Sequence, residues 1–129
     1  MKILLDTHCW LWMTATPERF SPPTRALIES TSNELYFSAA SAWELAIQYS
    51  LGKLHLPEAP ETYVPKSLFA LQIQTLSIEH THALRVAALP EHHRDPFDRL
   101  LIAQAQLEDL KILTADPLFA LYDVSIIAA

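Results

Sequence analysis

Short apolar runs alternate with longer segments of helical pattern along this chain, and this alternation is the feature that most constrains its fold. The apolar runs predict five strands, at residues 3–5, 35–38, 74–78, 111–114 and 124–127. Strands that alternate with helices usually pair in parallel, because each helix carries the chain back across the sheet. The sequence therefore predicts an α/β fold with a mostly parallel sheet of four to five strands flanked by helices.

Residues that start and stop helices mark the segments between these strands. The predicted helices cover residues 21–30, 41–51, 60–71, 79–89 and 96–109. In the first, Pro22 and Pro23 lie in the first turn, where proline is well tolerated. In the second, Ser41 is the predicted N-cap, Glu44 completes an S-x-x-E capping box, and Gly52 is the predicted stop.

Length and composition set the class of protein. At 129 residues the chain is long enough for one core and too short for two, so residues 1–129 are predicted to form a single domain. A single cysteine, Cys9, excludes a disulfide framework and suits a reducing cytoplasm. No apolar stretch is long enough to cross a membrane, and the opening MKILLD does not read as a signal peptide. We therefore expect a cytoplasmic protein without a membrane partner.

Charge and glycine content limit the classes of ligand that this chain is expected to bind. The net charge of −6 argues against non-specific electrostatic binding to nucleic acid, although a nucleic-acid substrate stays open if bound cations mask the acids. The single glycine, Gly52, excludes Walker A and dinucleotide-binding fingerprints, which need several glycines.

Four carboxylates lie where the predicted strands end or the following helices begin: Asp6, Glu44, Asp98 and Asp116. Ligands of parallel α/β sheets bind beyond the carboxyl ends of the strands, so these acids are expected at one rim of the sheet. Carboxylates held together repel each other unless a cation is bound, and Mg²⁺ or Mn²⁺ prefers such oxygen ligands.

The same acids also have a structural explanation, and the local sequence leaves both open. Asp95 can cap a helix whose first residue is Pro96, with Asp98 as the reciprocal acid of a capping box. Glu44 behind Ser41 admits the same explanation. Asp6 is harder to explain in this way, because a carboxylate at the end of a buried strand is costly without a partner.

Other chemistries have less support. The six histidines form no H-E-x-x-H motif and have no cysteine partners, so His92 and His93 are interpreted as loop residues rather than zinc ligands. No G-x-S-x-G elbow is present, and Cys9 has no evident base. The three tryptophans are interpreted as packing residues of the core or of a protein interface.

Three basic residues lie close to the acids or helix ends in the sequence: Lys53, Arg94 and Arg99. Most such residues are only solvated charges. Beside a phosphodiester site they would position RNA phosphates.

Four stretches of the chain together carry a resemblance to a known family. They read DTHCWLW at 6–12, FSAASAWELAIQYSLGKL at 37–54, LPEHHRDPFDRLLIAQA at 89–105 and LTADPLF at 113–119. In this order and spacing the chain resembles PIN-domain proteins, in particular the VapC-type toxins of bacterial type II toxin–antitoxin systems. The resemblance covers residues 1 to about 127.

The resemblance implies a three-layer fold and a metal-dependent endoribonuclease that uses Mg²⁺, or alternatively Mn²⁺. Carried over onto this sequence, Asp6, Glu44, Asp98 and Asp116 are the family's first to fourth catalytic, metal-binding acids.

Further expectations follow from the same resemblance. Thr7 is an accessory residue beside the first acid, and Asp95 belongs to the DPFD signature of this subgroup. The partners it implies are an RNA substrate, a VapB-like antitoxin protein and a second toxin copy in a homodimer.

Two other classes stay open at this stage. A non-catalytic PIN-like module would bind RNA or act as a scaffold, although the intact set of four acids speaks against it. An Asp-based phosphatase or phosphotransfer domain also places an aspartate after the first strand, but a dehalogenase-type site needs another aspartate at position 8, where this chain has His8.

Overall fold

The computed structural model describes all 129 residues and contains a five-stranded sheet in which every strand pair is parallel. The predicted α/β fold is therefore confirmed. The strands are β1 (Lys2–Leu5), β2 (Glu34–Ser38), β3 (Gln74–Leu76), β4 (Lys111–Thr114) and β5 (Ile126–Ala128), and they lie in the order β3-β2-β1-β4-β5.

Six α-helices flank the sheet: α1 (Thr7–Ala15), α2 (Pro22–Glu29), α3 (Ala39–Ser50), α4 (Pro60–Ala70), α5 (His80–Arg85) and α6 (Pro96–Glu108). Short 3-10 helices at Pro17–Arg19, Val86–Ala88 and Pro117–Leu121 lie between them. None of the helices has the length and apolar character needed to span a membrane.

The central strand β1 divides the core into two layers, because successive side chains of a strand point to opposite faces of the sheet. Ile3 and Leu5 pack with Trp10 in one apolar cluster. Leu4 packs in the other, with Leu101 of α6. Helices therefore cover both faces, which is why the strands are apolar throughout rather than alternating.

Helix α1 was not predicted from the sequence. Its segment contains Cys9 to Met13, five apolar residues in a row, and such a run has no helical period that would distinguish it from a buried strand. At residues 79–89 the predicted α-helix is too long. Helix α5 ends at Arg85, and a 3-10 helix follows to Ala88.

Helix α3 begins earlier than predicted, and the expected N-cap at Ser41 is wrong. Strand β2 runs directly into the helix, and the Ser38 side chain accepts a hydrogen bond from the Ala40 N–H at 3.0 Å. Glu44 therefore lies in the second turn and not in a capping box. The predicted stop is confirmed, because Gly52 follows the helix with a positive φ of 73°.

The strand order creates a switch point beside β1. The chain moves from β1 to β2 and β3 on one side, then crosses to β4 and β5 on the other. The crevice above the carboxyl ends of β1 and β4 is where α/β sheets of this kind hold their ligands.

Candidate active site

Asp6 lies at the carboxyl end of β1, beside β4. Its backbone N–H donates to the Leu113 carbonyl at 3.0 Å, and its Oδ2 accepts a hydrogen bond from the Thr114 hydroxyl at 2.7 Å. The residue is only 4% exposed. Burial raises the pKa of this carboxyl, an effect that the Thr114 hydrogen bond partly offsets.

Glu44 projects from the second turn of α3 and is also buried. Its Oε1 has no hydrogen-bond partner in the protein. Burial raises the pKa of Glu44, and the charges of Asp95 and Asp6 add to the increase. A buried acceptor without a donor is rare and costly in a folded protein, so this oxygen marks a place where a ligand is expected.

The start of α6 brings the third predicted acid to the same place. Asp95 is the N-cap, as predicted, and its Oδ1 accepts hydrogen bonds from the N–H groups of Phe97 at 2.8 Å and Asp98 at 3.3 Å. The expected reciprocal bond, from the Asp95 N–H to the Asp98 carboxylate, is not made. The Asp95 N–H donates instead to Nδ1 of His93 at 3.2 Å, and an oxygen of Asp98 lies 3.0 Å from His93 Nε2.

Asp98 has the most strongly perturbed carboxyl of the cluster. Burial and, in decreasing order, the charges of Asp6, Asp95, Glu44 and Asp116 raise its pKa to about 8. Asp6, Glu44 and Asp116 are therefore close enough to Asp98 for their charges to act on its carboxyl. Without a cation, the cluster holds a proton on Asp98 near neutral pH.

Asp116 follows β4 and combines a cap with a position in the cluster. Its Oδ1 accepts a hydrogen bond from the Leu118 N–H at 2.9 Å, which starts the short helix Pro117–Leu121. Its Oδ2 lies 2.9 Å from His93 Nε2. The structural and the site explanations of this acid are therefore compatible.

His93 is the site residue that sequence reasoning missed. A ring nitrogen of His93 and one carboxylate oxygen each of Asp98 and Asp116 all lie within 4.8 Å of one another, so the histidine is part of the acid cluster. From the sequence alone, His93 is interpreted only as a loop histidine. Its place just before the Asp95 cap was the available signal, because a loop that leads into this helix start must pass the acid cluster.

The remaining predicted residues differ in their surroundings. Lys53 and Arg94 are exposed, and Thr7 is buried with its hydroxyl donating to Ser41 Oγ at 2.8 Å. Arg99, expected to be a solvated charge or a contact for RNA phosphates, is not solvated. Its side chain is 9% exposed, and its guanidinium donates to backbone carbonyls, of which the Pro90 oxygen is nearest at 2.8 Å.

Cys9 is excluded as a nucleophile by its surroundings. It is fully buried, and burial together with the charge of Asp6 raises the pKa of the thiol to about 12. At neutral pH it is therefore a neutral packing residue.

The donor set fits a hard divalent cation. It consists of carboxylate oxygens, the ligands that Mg²⁺ and Mn²⁺ prefer. Two observations support the fit: the buried, unpartnered oxygen of Glu44 and the raised pKa of Asp98. Both are unfavourable in the protein alone, and a positive charge at the centre of the cluster would relieve them.

Several known proteins are similar to this chain in sequence or in fold. Residues 3–124 match the family model described as PIN domain. Over 115 residues, 88% of this chain and 86% of the relative, the sequence is 30% identical to Ribonuclease VapC22 of Mycobacterium tuberculosis (strain ATCC 25618 / H37Rv). A segment of 59 residues is 46% identical to Ribonuclease VapC16 of the same strain, covering 46% of this chain and only 42% of that relative.

Solved structures extend the likeness to the whole fold. The crystal structure of VapBC2 from Rickettsia felis, bound to a DNA fragment from the promoter, matches with a TM-score of 0.75 at 15% identity, over 100% of this chain and 99% of the matched chain. VapBC from Salmonella typhimurium, bound to DNA, matches with a TM-score of 0.69 at 16% identity, over 99% and 98% of the two chains.

Proposed function

This chain belongs to the PIN-domain family, and on that premise we propose that it is a divalent-metal-dependent endoribonuclease of the VapC toxin type that hydrolyses RNA phosphodiester bonds. The observation that carries the proposal is the position of buried Asp98 near Asp6, Glu44 and Asp116, where burial first and then the charges of these acids raise its pKa to about 8. The two curated relatives are named ribonucleases, which supports RNA as the substrate.

Asp6, Asp98 and Asp116 would hold Mg²⁺ or Mn²⁺, directly or through water, and Glu44 would join them or face the attacking water. Asp6 is fixed by the Thr114 hydroxyl and Asp116 by the Leu118 N–H, so both carboxylates are oriented before any ligand arrives. Such preorganisation lowers the cost of binding and of reaching the transition state.

The chemistry that a divalent cation supplies at such a site is positive charge, which favours ionisation of water and offsets charge developing on the phosphate. Within the protein, Glu44 Oε1 is the unpartnered acceptor that can orient the water and take up its proton. Because water rather than the RNA 2′-hydroxyl is the nucleophile, the expected products carry a 5′-phosphate and a 3′-hydroxyl.

Substrate contacts would come from the rim of the cluster. Arg94 and Lys53 are exposed and are our candidates for positioning RNA phosphates. Thr7 would assist beside Asp6. Asp95 is primarily the cap that places Asp98, and its charge also contributes to the cluster.

The proposed partners follow from the relatives. VapBC structures pair such a fold with a second protein, and we propose that a VapB-like antitoxin binds this chain and inhibits it in the cytoplasm. We also propose a homodimer. Trp43, which is 60% exposed and packs edge-on against Phe97 at 5.2 Å, is the type of side chain that protein interfaces bury.

The test is cleavage of RNA by the full chain, purified free of partners, in Mg²⁺ or Mn²⁺ and again in EDTA. Asp98→Asn is the inactivating variant, and Asp123→Asn, at an exposed acid outside the cluster, is the matched control. We expect cleavage only with cation, only when Asp98 is present, and with 5′-phosphate products.

Three outcomes contradict the proposal. Cleavage that survives both EDTA and Asp98→Asn excludes metal dependence, and 2′,3′-cyclic phosphate products exclude attack by water. RNA binding without cleavage, unchanged in Asp6→Asn, supports the non-catalytic RNA-binding alternative.

A further inference from the structure

The segment between α5 and α6, residues 86–95, places His93 beside the acid cluster. One buried side chain, that of Arg99, forms hydrogen bonds to the backbone of this segment. The Arg99 guanidinium donates to the carbonyls of Pro90 at 2.8 Å and Val86 at 3.1 Å, with longer contacts to His93 at 3.4 Å and Leu89 at 3.5 Å. A single charged group therefore holds four points of the segment. Hydrogen bonds from charged groups are stronger than neutral ones, so this attachment is firm.

Tyr122, which follows the last 3-10 helix, completes the attachment. Its hydroxyl accepts from the N–H groups of His93 at 2.8 Å and His92 at 3.1 Å, and it donates to the Pro90 carbonyl at 2.9 Å. Arg99 Nη1 also contacts this hydroxyl, at 3.2 Å. We call Arg99 and Tyr122 together the clamp.

The contacts of His93 determine which ring nitrogen carries the proton. Nδ1 accepts the Asp95 N–H, so in the neutral ring the hydrogen is on Nε2. Nε2 faces Asp116 Oδ2 at 2.9 Å and Asp98 Oδ2 at 3.0 Å. A nitrogen that carries hydrogen has no lone pair for a metal, so in this form His93 donates to Asp116, with Asp98 in contact, and is not a ligand.

We propose that the clamp and His93 form a positioning device for the cation site, in which the clamp fixes the segment and His93 Nε2–H, hydrogen-bonded to Asp116 and in contact with Asp98, holds the two carboxylates side by side. This inference rests on the proposed function. The contact uses the Oδ2 atom of each carboxylate, which leaves the other Asp98 oxygen free to face a ligand. Outer hydrogen bonds of this kind orient metal ligands, and their loss typically weakens metal affinity about 10–100-fold.

The experiment measures binding of Mn²⁺ alone to the full chain by calorimetry. His93→Leu, which removes the donor, should weaken binding at least about tenfold, and His93→Gln, whose amide can donate from a similar position, should restore most of it. Tyr122→Phe, which removes only the clamp hydroxyl, should weaken binding severalfold. His55→Gln and Tyr36→Phe, both outside the site, are the matched controls and should bind as wild type does.

A spectroscopic measurement tests the geometry without metal or activity. Nitrogen-15 spectra of the His93 ring should show the Nε2–H form in the wild-type chain and a mixture of forms in Tyr122→Phe.

The outcomes separate the two proposals. If the wild-type chain binds Mn²⁺ and cleaves RNA but His93→Leu binds Mn²⁺ equally well or more tightly, the positioning role is wrong and the proposed function stands. A His93 ring with its hydrogen on Nδ1 also overturns the role. If the wild-type chain neither binds Mn²⁺ nor cleaves RNA, the proposed function fails, and the clamp has no cation site to position.

Discussion

Two histidines of this protein have almost the same local contacts and different surroundings. His82 Nδ1 accepts the Glu79 N–H at 2.9 Å at the start of α5, just as His93 Nδ1 accepts the Asp95 N–H before α6. In each case Nε2 faces carboxylate oxygen. His82 meets only Glu108, at 2.8 Å, with that side chain 45% exposed, whereas His93 meets two acids of the cluster, Asp98 and Asp116.

The difference shows that the helix-start contact does not define the role of the histidine. The Nε2–H of His82 donates to a solvated carboxylate, so the pair joins α5 to α6 and does little else. The Nε2–H of His93 lies beside Asp98, whose pKa is raised by burial and by the charges of neighbouring carboxylates. The role of His93 therefore depends on the acids that surround it. Four experiments test this contrast between His82 and His93.

Loss of the carboxylate that faces His93 should have the largest effect on RNA cleavage, and loss of the one that faces His82 should have almost none. Asp98→Asn removes a proposed ligand and should lower the rate of RNA cleavage by at least about 100-fold. This is the typical loss of rate when one preorganised electrostatic group is removed from an active site. Glu108→Gln should leave the rate within about twofold. Single-turnover cleavage in Mn²⁺ measures both, and equal losses would contradict the contrast.

Cation binding should stabilise the protein through the cluster alone. Mn²⁺ at about 100 times its dissociation constant stabilises the folded state by about 2.7 kcal/mol, or roughly 10 °C in Tm for a domain of this size. The increase should disappear in EDTA and be reduced in Asp98→Asn. Thermal unfolding followed by circular dichroism measures it, with Glu108→Gln as the variant that should keep the full increase.

The stability of the metal-free protein should fall with rising pH because of Asp98. Its pKa in the folded state is about 8, above the ordinary value of 3.8, so between these values the folded protein binds the proton more tightly than the unfolded chain does. The unfolding free energy then decreases with pH, by up to about 1.4 kcal/mol per unit, and the penalty is complete above pH 8.

The measurement is urea unfolding in EDTA at several pH values from 5 to 9, for the wild type and Asp98→Asn. The difference between the two proteins isolates this group from the histidines. A wild-type curve parallel to that of Asp98→Asn would show that Asp98 titrates normally.

Weakening the His82–Glu108 pair should have the smallest effect on stability. Glu108→Gln keeps an acceptor for His82 and removes only a charge that is largely solvated, so the unfolding free energy should change by less than about 1 kcal/mol. Mn²⁺ affinity should not change at all. Urea unfolding and calorimetry check the two expectations. A change in Mn²⁺ affinity would mean that the His82–Glu108 pair is coupled to the acid cluster.

Patterns that depend on neighbours in sequence were predictable. The apolar runs gave the strands, Asp95 with Pro96 gave the start of α6, and acids at strand ends gave the cluster, because parallel strands bring their carboxyl ends to one rim.

Features decided by distant contacts were not predictable. Ser38 and Ser41 both precede helical residues, and only the direct passage of β2 into α3 makes Ser38 the cap. Arg99 has the sequence context of a solvated cation, and its burial is visible only once the 86–95 segment and Tyr122 close around it.

The hydrogen bond from Thr114 to Asp6 joins residues 108 positions apart. Asp6 is synthesised before the other acids of the cluster, and its partner Thr114 follows 108 codons later. A chain emerging from the ribosome with its early elements folded still lacks Asp98 and Asp116. For a protein proposed to cut RNA, we therefore expect a nascent chain that still lacks these acids to be inactive.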